Sequence, residues 1–213
     1  VRIRPGRAPA TVVPMFTASA IEANLVATLA AGATVTFLPT SEVAPIAAAL
    51  SRLEPTYLWA GPTVLSALLE SLSVGELTLP ASLRLLRTGG APLAPSLQTA
   101  LEAVSGRPVM QGYGMTETGG IARNPLPPAP RPPGSVGRPL WPGVAILGHD
   151  GAVGRWQEEG EVVVRGPGVM TGYENAPEAN CEAFHDGWFR TGDVGRFDAD
   201  GYLHLTGRLR ELI

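Results

Sequence analysis

The amino-acid sequence predicts an α/β fold: a mostly parallel sheet with flanking helices, followed by a smaller antiparallel, β-barrel-like subdomain. Three observations predict it. From Thr11 to Tyr113, short β-branched runs alternate with longer Ala/Leu runs, which is how strands joined by crossover helices read. Prolines then crowd 124–134 (Pro125, Pro127, Pro128, Pro130, Pro132, Pro133), a stiff stretch whose prolines have no backbone N–H to offer a sheet. After Ser135 the apolar runs shorten and Gly-containing turns separate them. The expected division is an α/β lobe over 1–123, a proline-rich connector over 124–134 and a β-rich subdomain over 135–206.

Each element has its own justification. Strands are expected at 11–13, 34–38, 56–59, 83–87 and 109–111, where β-branched and aromatic residues cluster. Helices are expected at 21–31, 43–53, 63–72 and 96–104, because apolar residues recur at helical spacing (Leu25, Leu29; Ile46, Leu50, Leu53; Leu65, Leu68, Leu69). Ser41 and Thr63 stand where N-caps belong. A surface loop is the preferred reading of the connector, ahead of a polyproline ligand for an SH3-type domain. Beyond it, strands are expected at 144–147, 161–164, 188–189 and 202–205, with turns at His149-Asp150-Gly151, Asp186-Gly187 and Asp198-Ala199-Asp200-Gly201 and one short helix over 176–184.

Composition narrows the function classes. Hydrophobic residues make up 45% of the 213 and charged residues only 16%, as in a chain with a sizeable packed core rather than a disordered one. The net charge of -3 gives no electrostatic footprint for nucleic acid or an anionic membrane, so neither partner is expected. The longest apolar stretch, Leu25 to Val35, is broken by Thr28, Gly32 and Thr34 and is too short to span a bilayer. A single cysteine, Cys181, forms no intrachain disulfide, and with no signal-peptide pattern the expected location is cytoplasmic. The chain starts at Val1 and stops inside an Arg/Glu-bearing segment, so it is expected to be part of something longer.

Chemistry concentrates where candidate strands end, the place where open α/β sheets bind ligands. Gln111-Gly112-Tyr113-Gly114-Met115-Thr116-Glu117-Thr118 delivers a flat ring, a hydroxyl and a carboxylate within five positions of a strand end. Tyr113 can stack on a planar base, Thr116 can donate to a phosphate oxygen, and Glu117 can hold a divalent cation such as Mg²⁺. A glycine-bordered turn with a half-buried Tyr and a solvated Glu is the plain alternative. Thr88-Gly89-Gly90-Ala91-Pro92-Leu93 offers backbone amides unobstructed by bulky side chains, or is an ordinary strand-to-helix turn. Asp193, in Arg190-Thr191-Gly192-Asp193, and Arg208 can clamp two sugar hydroxyls from neighbouring strands, or form an ordinary surface ion pair. His149, His185 and His204 lie far apart and Cys181 has no partner motif, which disfavours a metal site or a Ser-His-Asp arrangement.

These stretches, with Pro-Gly-Ser-Val-Gly-Arg-Pro (133–139), Gly-Glu-Val-Val-Val-Arg-Gly-Pro-Gly-Val-Met-Thr-Gly-Tyr (160–173), Gly-Trp-Phe-Arg-Thr-Gly-Asp (187–193) and Asp-Gly-Tyr-Leu-His-Leu-Thr-Gly-Arg-Leu-Arg-Glu-Leu-Ile (200–213), occur in the order found in the adenylate-forming superfamily. The chain resembles its acyl-CoA synthetase or 4-coumarate-CoA-ligase-like members. The resemblance implies an ATP-dependent acid–thiol ligase, which makes an acyl-adenylate from a carboxylic acid and passes the acyl group to CoA or to a carrier-protein phosphopantetheine. It implies that Tyr113 stacks on adenine, with Gly89, Gly90, Ala91, Pro92, Gly112, Gly114 and Met115 around the nucleotide. Thr116 would touch the AMP phosphate, Glu117 the Mg²⁺, and Asp193 and Arg208 the ribose. It also implies that 207–213, with Arg210, begins a hinge to a C-terminal domain carrying a catalytic lysine, and that a phosphate loop precedes Val1. Without those two elements the chain alone is expected to be almost inert in adenylation.

Departures from the family pattern bear on substrate and acceptor. Many relatives have Pro-Leu-Phe-His beside the acyl pocket, and this chain has Pro14-Met15-Phe16-Thr17, which implies a roomier or differently shaped pocket around Met15, Phe16 and Thr17. Trp141 reads as an extra residue before Pro142-Gly143. Met115 favours the CoA ligases, since carrier-protein-loading domains typically have Pro at that position. A carrier-protein ligase, a luciferase-type oxygenase and a non-catalytic nucleotide-binding module are the alternatives.

Overall fold

The computed structural model describes residues 8–155 and 157–209. Strands β1 (Ala10–Thr11), β2 (Thr36–Phe37), β3 (Tyr57–Trp59), β4 (Leu85–Gly89) and β5 (Val109–Met115) run parallel in the order β2-β1-β3-β4-β5. Alternate residues of these strands face two separate apolar clusters. Leu58, Leu86 and Val109 join a large core with Ile46, Leu50, Leu65 and Leu101, whereas Tyr57, Trp59, Leu85 and Met110 form a second cluster. Burial on both faces explains why the strands read as unbroken apolar runs.

The helices are α1 (Ala27–Ala30), α2 (Val43–Leu53), α3 (Pro62–Ser73), α4 (Pro95–Ser105) and α5 (Pro177–Ala183). The expected helix at 21–31 is present, but its first part, Ala20–Val26, has the wider π spacing. Buried Asn24 turns its side-chain amide back onto the Ser19 carbonyl at 3.3 Å, a local bond that competes with the α ladder. The expected N-caps are corrected. The residue before α2 is Glu42, and the hydroxyl that serves the turn is that of Thr40, which accepts from the Glu42 N–H at 3.1 Å. The residue before α3 is Gly61, because Pro62, with its fixed φ and missing donor, takes the first helical position.

From β5 the sheet continues antiparallel through β6 (Gly119–Arg123) and β7 (Ser135–Pro139), then β13 (Leu203–Arg208), β12 (Trp188–Phe197), β10 (Gly160–Val164), β8 (Val144–Leu147) and β9 (Val153–Gly154). The remaining strand, β11 (Phe184–His185), pairs with β12 through the two-residue turn Asp186-Gly187, both with positive φ. The proline-rich 124–134 stretch is the loop between β6 and β7, which pair directly, Ala122 with Pro139 and Arg123 with Arg138. At Gly137, φ is +98°, and a Cβ there would collide with the Arg123 carbonyl and the Asn124 amide. Ile121, Val136, Val144, Ile146, Val162, Val164, Phe197 and Leu203 form the core of this half. No helix among the described residues is long and apolar enough to cross a membrane.

Candidate functional site

Three strand ladders slip register around one place. Tyr113 pairs with Ala122 but Gly114 with Gly120, which leaves Ile121 as the surplus residue of β6. Val194 pairs with Gly207 but Gly195 with Leu205, which makes Thr206 the surplus residue of β13. The largest slip lies between β10 and β12. Glu161 pairs with Val194 and Val163 with Arg190, so Thr191, Gly192 and Asp193 stand against Val162 alone. Such bulges re-aim side chains and are common beside ligand sites.

The bulge is held by a buried acid. The Glu161 Oε1 accepts the Gly192 N–H at 3.0 Å, and its Oε2 accepts the Arg190 Nε–H at 2.8 Å. The Thr191 hydroxyl donates to the Val162 carbonyl at 2.7 Å and accepts the Asp193 N–H at 3.1 Å. With Gly192 in the left-handed region at φ +73°, the chain turns so that Asp193 meets two groups. The Tyr113 hydroxyl, 80 residues away in sequence, donates to Asp193 Oδ2 at 2.6 Å, and the Arg208 Nε–H donates to Oδ1 at 2.6 Å. Asp193 and Arg208 are directly opposed across β12 and β13. Burial, then the adjoining Asp193 carboxylate, push the Tyr113 phenol well above the usual tyrosine range, with Arg208 opposing. Tyr113 is therefore a neutral donor at all physiological pH values.

Of the residues expected at a nucleotide site, Gly90, Ala91, Pro92, Gly112, Tyr113, Gly114, Met115, Asp193 and Arg208 line one cavity of about 440 Å³. Gly89 lies just behind it in β4, where an added Cβ would stand 3.0 Å from the Gly112 carbonyl oxygen. At Gly114 a Cβ would collide with the Gly119 carbonyl, so β5 and β6 approach this closely only without a side chain there. Thr116 and Glu117 stand on the turn that follows Met115, outside the cavity lining. The main chain of Glu117 accepts the Met170 N–H at 2.8 Å, and its carboxylate accepts the Tyr173 hydroxyl at 3.0 Å.

The expected acyl-pocket residues are not brought to this cavity. Met15 and Phe16 are 48% and 86% exposed, and the Thr17 hydroxyl donates to the Pro14 carbonyl and accepts the Ala20 N–H, closing the turn into the first helix. Arg210 lies outside the described residues. Among the described residues no group of three or more His, Cys, Asp or Glu is placed to hold a metal ion. Glu117 still fits Mg²⁺, which takes hard carboxylate oxygens one or two at a time and completes its shell with water and substrate phosphates.

Sequence reasoning missed the residues that shape the site rather than line it. Glu161 is 7% exposed at the start of a valine run, and an acid inside a buried strand was the available signal. Asn124, first residue of the proline-rich stretch, accepts the Gln111 N–H at 2.7 Å and donates to the Ser135 carbonyl at 3.2 Å, joining β5 to β7.

Comparison with known proteins gives a consistent picture. The family model for AMP-binding enzyme matches residues 3–174. The oxalate–CoA ligase of Arabidopsis thaliana is 42% identical over 207 residues, which is 95% of this chain and 40% of that protein. The crystal structure of ATP-bound MatB from Rhodopseudomonas palustris is similar with a TM-score of 0.89 at 33% identity, over 100% of this chain and 42% of that one. The O-succinylbenzoate coenzyme A synthetase MenE from Bacillus subtilis, in complex with AMP, gives 0.81 at 33% identity over 97% and 42%. The chain thus spans about 40% of the length of these relatives.

Proposed function

Because this chain belongs to the AMP-binding enzyme family, we propose that it is the nucleotide-holding core of an AMP-forming acid–thiol ligase. In the proposed reaction the carboxylate of a small acid attacks the α-phosphorus of ATP, pyrophosphate leaves, and the acyl-adenylate then passes its acyl group to the thiol of CoA with release of AMP. The observation that carries this reading is the meeting of Tyr113, Asp193 and Arg208 on one cavity wall, with the Asp193 carboxylate held from both sides.

The roles follow from residue chemistry. Tyr113 offers an aromatic face to adenine while its hydroxyl is anchored, so little ring freedom is lost on binding. Asp193 is an acceptor-only group suited to the ribose hydroxyls, and Arg208 fixes its orientation. Gly90, Ala91, Pro92, Gly112, Gly114 and Met115 leave room for the base, and the Thr116 hydroxyl donates to the phosphate. Glu117 would hold Mg²⁺, which when bound offsets charge on the phosphate oxygens. No nucleophilic side chain is needed, because attack on phosphorus by an acid already present depends on positioning and fixed donors.

CoA as acceptor is supported by the names of the relatives, which are CoA ligases and synthetases. A cytoplasmic setting accords with the supply of ATP and CoA. The site itself is tested by calorimetric titration of AMP into this chain and into Tyr113→Ala. Micromolar to millimolar binding that the substitution weakens at least tenfold is expected, and equal binding by both would remove Tyr113 from the site.

A further inference from the structure

We propose that Tyr173 is a positioning residue for Glu117, held in place by Asn180, and that it sets the response of this site to Mg²⁺. The inference rests on the proposed role of Glu117. Tyr173 lies 56 residues after Glu117, in the loop between β10 and α5, yet its hydroxyl donates to Glu117 Oε1 at 3.0 Å. The same loop reaches the turn twice more. The Met170 N–H donates to the Glu117 carbonyl at 2.8 Å, and Gly168 packs so closely that a Cβ there would stand 2.8 Å from the Thr118 carbonyl oxygen.

Tyr173 is itself bracketed. The Asn180 Oδ1 accepts the Tyr173 N–H at 2.7 Å, and the Asn180 Nδ2 donates to the Tyr173 carbonyl at 2.9 Å, so one primary amide from α5 fixes both backbone groups. The preceding Gly172, at φ +152°, brings the chain so near Asn180 that a Cβ would lie 3.0 Å from Oδ1. This bracket holds a residue that is still 40% exposed. The Tyr173 hydroxyl is thereby aimed at the Glu117 carboxylate. Its physical effect is on the acid, which is kept in one rotamer with one lone pair occupied and the others available to a cation.

The test separates this inference from the nucleotide reading. ATP is titrated calorimetrically into this chain and into Tyr173→Phe, Asn180→Ala and Glu117→Gln, first without metal and then over a series of MgCl₂ concentrations, with thermal melting as a check on folding. The phenylalanine keeps the ring and removes only the hydroxyl. Its metal-free affinity is expected to match the parent, while the MgCl₂ concentration giving half of the metal-dependent gain rises about three- to tenfold, the loss of one hydrogen bond to a charged group at a partly solvated site. Asn180→Ala should shift in the same direction, and Tyr173→Phe combined with Glu117→Gln should lose no more than Glu117→Gln alone. An unchanged Mg²⁺ response in Tyr173→Phe overturns the inference and leaves the nucleotide reading standing. Absence of any ATP or AMP binding by the parent chain overturns both.

Discussion

Asp193 and Arg208 face each other as direct partners across β12 and β13, with Nε–H to Oδ1 at 2.6 Å, yet the aspartate side chain is 9% exposed and the arginine 57%. A pair this open on one side contributes under about 1 kcal/mol to stability. Asp193→Asn, which also disturbs the acceptor of the Tyr113 hydroxyl, should therefore cost about 1–2 kcal/mol of stability. AMP affinity should fall about ten- to a hundredfold, which is the loss of roughly 1.5–3 kcal/mol of charge-assisted hydrogen bonding. Calorimetry and melting on the same samples check both halves, and undiminished affinity would take the carboxylate out of the sugar site.

Tyr113 links stability to alkaline pH. Its folded-state phenol titrates above the ordinary value of about 10, chiefly through burial and then through Asp193. As pH rises past that ordinary value, only the unfolded chain releases the proton, so the contribution is complete below about pH 10 and shrinks above it. Tyr113→Phe removes this dependence. Urea denaturation between pH 8 and 11 should show the parent losing stability faster than the variant, and parallel curves would contradict the assignment.

Glu161→Ala tests the support of the bulge. It leaves the Gly192 N–H without its acceptor and the Arg190 guanidinium without its carboxylate, at a cost of about 2–3 kcal/mol. Because Thr191 to Asp193 then relax, AMP affinity should drop although residue 161 is not among the cavity-lining residues. Stability lost with affinity retained would show that the bulge keeps its shape without Glu161.

Gly137→Ala meets the Arg123 backbone and a φ of +98° together, and should cost more than about 3 kcal/mol. At Gly61, with φ -67° and nothing within 4 Å of a Cβ, alanine should stay within about 1 kcal/mol. Far-ultraviolet circular dichroism melts of the two variants compare them directly. Equal melting temperatures would mean that β6 and β7 can separate at little cost.

What could be read from the sequence, and what could not, follows the range of the forces. The bounds of α2 at Val43–Leu53 were legible because Ile46, Leu50 and Leu53 declare one face within eleven residues. Strand β5 was expected to stop at Gln111 but runs to Met115, since its last residues are strand only by pairing with β6. β6, with Gly119 and Gly120, and β7, with a proline and a positive-φ glycine, have no local strand propensity and exist through their neighbours. The site divides in the same way. Tyr113, Asp193 and Arg208 stood out as chemistry at strand ends, whereas Glu161, Asn124 and the Tyr173–Asn180 bracket act through contacts across 7 to 56 residues that no local pattern encodes.

The surplus residues Ile121 and Thr206 also carry a consequence for how such a ribbon can diverge. A pleated ladder sends successive side chains to opposite sides, so removing Thr206 would take one side chain from the cavity wall and reverse the side that Gly207 and Arg208 present relative to Leu205, while positions 193 and 208 stay opposed across the two strands. The shape of the wall formed by Leu205, Thr206, Gly207 and Arg208 thus depends on the length of the strand as well as on its letters.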